Sequence, residues 1–280
     1  MTLGRVLRRW DALLLVFGLR VVLSMVLTLP LLGAGLSTGI FRHPDADALM
    51  FAPGGMLLTE AVRLSLDGVG ALAKLTFLGL VLAMFVSLLG VVVLLTTLGD
   101  PDLSLGNAIG RGLARLPTCY ALFGGSMLTQ ILILAAASTL AAHLQSELAL
   151  SWREPQAALA AVALLLLGVL ATYAVGIVRD LAFASACSAP RSAWEALREA
   201  LGLVLARPGR IVLDYASIAT WQLVAVLAVA WTVTRLPVAS GSSGVALAVL
   251  ALEVCALALI TLLQALWRGR SLTRVLRDRV

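Results

Sequence analysis

Five polar residues lie inside long apolar runs of this sequence: Arg20, Ser24, Gln130, Gln222 and Glu253. Counted inward from the nearest run boundary, four of them fall at similar depth. Gln130 lies 13 residues after Pro117, Gln222 14 after Pro208, Ser24 13 after Asp11, and Glu253 14 before Trp267. Arg20 lies one helical turn from Ser24. Ionisable groups in hydrocarbon are costly and face a bundle interior or a wet cavity. The layer therefore has two readings. In one it is a polar site for an ion, a proton or a headgroup, with Arg20 and Glu253 paired. In the other its members form interhelical hydrogen bonds that pin the packing, worth about 0.6–2 kcal/mol each. Burial alone would neutralise Glu253, and a nearby arginine would keep it ionised.

Other residues with chemical potential form weaker patterns. His43, Asp45 and Asp47, with His143 and Glu147, offer imidazole and carboxylate ligands, but the simpler reading is a solvated loop. Gly124-Gly125-Ser126 has the Gly-x-Ser arrangement of intramembrane serine proteases. No histidine follows within a later span to act as base, so helix packing is the expected role. Cys119, Cys187 and Cys255 form no CxxC or Cys/His cluster, which argues against a structural zinc site, and the topology below places none of them outside, so no disulfide is expected. HExxH, P-loop and dinucleotide fingerprints are absent from the sequence. The expectation is a protein without cofactor and without enzymatic activity.

The elements that carry these residues are membrane spans. The 280 residues are 61% hydrophobic and only 13% charged, with a mean hydropathy of +1.02. That is too little polar surface to cover a soluble globule, whereas lipid requires none. The net charge of +6 does not indicate nucleic acid, because the arginines do not form one basic face. Apolar runs predict six spans at about 12–33, 75–98, 118–142, 157–178, 210–234 and 245–267. Each is long enough to cross the hydrocarbon as a helix, the one open-chain form that satisfies its own backbone there. The first run resembles a signal peptide. Arg20 interrupts it, however, and Gly33-Ala34-Gly35 is a poor cleavage site, so it reads as a span.

Between the spans lie amphipathic stretches, read as surface helices at about 2–10, 59–72, 102–116 and 190–207. The clearest places Trp194, Leu197, Leu201, Val204 and Leu205 on an apolar side. Arg191, Glu195, Arg198 and Glu199 occupy much of the opposite side. This pattern suits a helix lying in the membrane interface, its apolar face among acyl chains. Pro101 to Pro117 repeats the layout of Pro190 to Pro208: proline, amphipathic helix, proline, span. The whole reads as an all-α polytopic six-helix membrane bundle, a single domain over 1–280. It is built of three parallel hairpin repeats, each preceded by a cytoplasmic amphipathic surface helix.

Charge sets the expected orientation. Fifteen basic residues fall in the N-terminus, the 99–117 and 179–210 loops and the tail; five fall in the alternate loops. By the positive-inside rule both termini are cytoplasmic, in a multi-pass bacterial inner-membrane protein. In the tail, Arg270, Arg274 and Arg277 share one helical face, suited to anionic lipid headgroups or to simple anchoring.

Residues Ala193 to Leu201 (AWEALREAL), followed by Arg207-Pro208-Gly209-Arg210 and a span, carry a family resemblance. Over about residues 178–235 the chain resembles the membrane domain attached to some bacterial glycerophosphodiester phosphodiesterases, and a wide class of six-span bacterial proteins. No phosphodiesterase catalytic domain accompanies it, so the resemblance does not imply that activity. Two functions remain open. One is a non-enzymatic scaffold or accessory subunit engaging inner-leaflet lipids, with a protein partner or a second copy of itself. The other is a small-solute or lipid transporter using the midplane polar layer.

Overall fold

A computed structural model of the chain describes residues 3–37, 66–100, 102–151, 154–235 and 243–277. The segment holding His43, Asp45 and Asp47 lies outside the described residues. The helices are α1 (Leu3–Leu7), α2 (Trp10–Ser37), α3 (Leu66–Gly99), α4 (Leu105–Ser151), α5 (Glu154–Ser188), α6 (Ala193–Ala206), α7 (Pro208–Arg235) and α8 (Ser243–Arg277). Among the described residues there is no strand. Six helices, α2, α3, α4, α5, α7 and α8, are long and apolar enough to cross a membrane, and each contains one of the expected spans. Large side chains such as Leu132, Leu167 and Trp221 point outward from them. So large an apolar surface is untenable in water and natural in lipid. The protein is an all-α, multi-pass integral membrane protein.

The surface helices differ from expectation in an informative way. The one at 190–207 is a separate helix, α6. Ser192 caps it by accepting from the Glu195 amide at 3.3 Å, while the Ser192 amide donates to the Glu195 carboxylate at 2.9 Å. This reciprocal box satisfies two amides at the helix start. At its end Arg207 leaves the helical region, with φ −144° and ψ 58°, before Pro208-Gly209. The stretch at 102–116 does not separate. It runs straight through Pro117 into the span as one 47-residue helix, α4. Pro117 removes one amide donor but is followed by Thr118 and Cys119 rather than a glycine, and the helical bonds on either side persist. The stretch at 59–72 is likewise not a separate element over its described part, since α3 is already continuous from Leu66. At the N-terminus the expected helix is the short α1, packed on α2.

The chain divides into two compact units. One comprises Leu95–Ala216 and Trp267–Val280, the other Thr2–Leu94 and Ser217–Leu266. In the first, α4 and α5 form a close hairpin. A Cβ at Gly168 of α5 would stand 2.6 Å from the Ala137 Cβ of α4, so only glycine allows this approach. The end of α5 is buried on every side from Asp180 to Ala186. α6 packs on α5 and α4 and buries Ala196, Ala200 and Leu203. In the second unit, Gly90 of α3 faces Val16 and Leu19 of α2, and Gly79 faces Leu27. The absence of a side chain at Gly79 thus lets α2 come close.

Candidate functional site

Within the first unit, α4, α5, α6 and the start of α7 enclose a groove of about 610 Å³. α4 contributes Ala121, Gly125, Ser126 and Thr129, and α5 contributes Ala174, Val178 and Arg179. Trp194, Leu197, Leu201 and Val204 come from α6, and Val212 from α7. The two hydroxyls add little polarity, because each is spent on its own helix. Ser126 donates to the Phe123 carbonyl and Thr129 to the Gly125 carbonyl, both at 2.8 Å. A Cβ on Gly124 or Gly125 would meet nothing within 4 Å. Helix packing, the role expected of this glycine pair, is therefore not what the pair does; Gly125 instead keeps the groove open.

α6 is held over the groove by a polar clasp on its other side. Arg191 donates to the Ser185 hydroxyl at 3.0 Å and to the Glu199 carboxylate, and Ser185 also donates to Glu199. The Thr118 hydroxyl donates to the Arg191 carbonyl at 3.4 Å. Arg191 and Glu199 are thereby turned inward, whereas the amphipathic pattern put them among headgroups. Glu195 and Arg198 do remain exposed. On the apolar side Trp194 and Leu205 are largely exposed. The capping hydrogen bond from the Ser192 amide, with help from the Ser192 side chain and the Arg191 charge, lowers the Glu195 carboxyl below its ordinary value.

Arg179 is the one ionisable residue in the groove lining. Its guanidinium sits over the rings of Phe123 and Phe183, at 6.0 and 5.9 Å, and 3.5 Å from the Asp180 carboxylate. Its Nε is buried without a hydrogen-bond partner. Asp180 accepts from the Trp267 indole at 2.9 Å. Trp267 meets Tyr215 edge-on at 4.9 Å, and Tyr215 meets Tyr173 at 6.2 Å. Sequence reasoning missed this aromatic and carboxylate network. Its one visible signal was Asp180, a carboxylate directly beside Arg179 at the end of an apolar run.

The five residues of the expected polar layer fall in both units, four of them in the second. Arg20 donates to Thr261 at 2.9 Å and to the Gln264 side-chain carbonyl, both on α8. It is not paired with Glu253, which is exposed, as is Ser24. Gln222 is half-buried. Gln130, in the other unit, donates to the Thr172 backbone carbonyl at 3.0 Å. Of the tail arginines, Arg274 pairs with Asp214 and stacks on Trp267 at 5.7 Å. Arg274 and Arg277 come together with Arg207 and Arg210, whereas Arg270 is not part of that group.

Among the described residues no three His, Cys, Asp or Glu side chains gather as a metal would require. His143 is exposed on α4, its carbonyl accepting from Ser146 at 2.7 Å. The three cysteines are free. What the first unit offers chemically is an apolar cleft with one arginine in its wall. Apolar clefts of this size suit hydrocarbon-rich ligands. No family model, no curated protein and no solved structure matches the chain.

Proposed function

We propose that this is a non-enzymatic accessory or scaffold protein of the bacterial inner membrane that holds a membrane lipid in the α4–α5–α6 groove. The carrying observation is the groove itself. Its volume of about 610 Å³ lies within the roughly 300–1,000 Å³ typical of ligand sites. Its walls are apolar, and Arg179 supplies one cation with an unused donor. An acyl chain gains from burial along Leu197, Leu201 and Val204, while Arg179 brings positive charge to the groove wall. The basic loops favour cytoplasmic termini and an inner-leaflet position for α6, where anionic lipid is attracted to arginine. A transporter built on the midplane residues has less support, because Ser24 and Glu253 are exposed and Arg20 is engaged by Thr261 and Gln264.

The test is retention of lipid through purification. Wild-type protein and Gly125→Phe, which fills open space in the groove, are compared by mass spectrometry of the co-purified lipid. Wild type should carry a stoichiometric lipid and the variant several-fold less. Equal retention by both, in protein of equal stability, would overturn the assignment.

A further inference from the structure

A second, smaller cavity lies in the same unit and shares no lining residue with the groove. It measures about 90 Å³ and is lined by Leu203, Arg207, Arg210, Ile211, Arg274 and Arg277. Four arginines therefore line a space too small for a hydrocarbon chain. Among the described residues, Asp214 pairs with Arg274, and Arg207, Arg210 and Arg277 bring further positive charge to the lining.

Two further features point the same way. The Nη1 of Arg274 is buried without a hydrogen-bond partner, although its Nη2 is satisfied by Asp214. A buried guanidinium nitrogen left unpaired is costly, and Arg274 lines the cavity. The cavity also lies at the start of α7, a 28-residue helix whose first turn includes Arg210 and Ile211. Of its first four residues, Pro208 has no amide N–H and Ile211 donates to the Arg207 carbonyl at 3.3 Å, which leaves the amides of Gly209 and Arg210 without a partner inside the helix. Stacking on Trp267 holds the Arg274 guanidinium plane in place, so its donors are preorganised.

We propose that this cavity binds a phosphate group. Planar guanidinium forks pair with phosphate oxygens in bidentate fashion, and a helix start adds amide donors. A tetrahedral oxyanion with two charges accepts from these guanidinium donors and offsets the positive charge they bring. A neutral sugar or an amide carbonyl accepts a hydrogen bond but leaves that charge unanswered. The phosphate is either the terminal headgroup of a lipid or a free phosphate from solution. This site goes beyond the lipid-holding groove, and the two stand or fall separately.

Full-length protein in nanodiscs decides both the site and its source. The discs contain phosphatidylcholine alone, or phosphatidylcholine doped with phosphatidic acid. The thermal midpoint is read in each, with inorganic phosphate titrated against sodium chloride of equal ionic strength. The test variant is Arg210→Gln with Arg277→Gln, both exposed residues whose loss leaves the Arg274–Asp214 pair intact. A rise with phosphatidic acid but not with phosphate, lost in the variant, assigns a lipid headgroup. A rise with phosphate, with affinity weakened about tenfold or more in the variant, assigns a soluble phosphate. Arg210→Lys with Arg277→Lys separates geometry from charge and should restore only part of the effect. No rise with either ligand, or equal rises in wild type and the Gln variant, would overturn the proposal.

Discussion

The indole nitrogen of Trp267 donates to the carboxylate of Asp180 across 87 residues of sequence, at 2.9 Å, in the buried part of the first unit. Trp267→Phe keeps the ring but leaves an Asp180 acceptor without its donor. The expected cost is about 1–3 kcal/mol. Asp180→Leu made in the Trp267→Phe background should cost less than it does in wild type. Detergent melts of the two single variants and the double check this; equal costs in both backgrounds would show that the bond contributes nothing.

Arg20 should couple to Gln264 and not to Glu253. In a double-mutant cycle of Arg20→Met with Gln264→Leu, the two losses should fall short of additivity by about 0.5–2 kcal/mol. The cycle of Arg20→Met with Glu253→Met should be additive within about 0.5 kcal/mol. Coupling in the second cycle and additivity in the first would mean that α2 and α8 meet in a different register.

Glu195 makes the docking of α6 sensitive to acid. Its carboxyl is held below the model-compound value of 4.5 in the folded state. The folded state then binds the proton less readily than the unfolded one. The contribution is therefore fully present above about pH 4.5 and is lost as pH falls through the lowered folded value. Trp194 lies one residue away and reports by fluorescence. Wild type should show an acid transition in Trp194 emission that Glu195→Gln lacks; an unchanged transition in the variant would assign the acid response elsewhere.

Orientation is tested with single cysteines in a background lacking Cys119, Cys187 and Cys255. Ser146, exposed near the end of α4, and Ser192, exposed at the start of α6, lie at opposite ends of the α4–α5 hairpin. Ser146→Cys should react with an impermeant maleimide in intact cells, and Ser192→Cys should react only after permeabilisation. The reverse pattern would put the arginine-rich loops outside.

The sequence alone determined that the chain is helical and membrane-spanning, where its six spans lie, and that a separate helix lies within residues 190–207. Those properties are sums of local transfer energies and local capping chemistry. Lipid rewards each apolar residue wherever its helix points, and Ser192 with Glu195 starts α6 without help from distant chain. Tertiary structure decided everything that depends on which way a helix faces. It gave Arg20 to Thr261 and Gln264, exposed Glu253, and drew Glu199 inward to Arg191 and Ser185. It also brought Arg207 and Arg210 beside Arg274 and Arg277. A few degrees of rotation cost little in hydropathy, which is nearly uniform around these helices. Partner choice therefore rests on steric contacts such as Gly168 against Ala137 and on single hydrogen bonds of about 0.6–2 kcal/mol, which residue spacing does not encode.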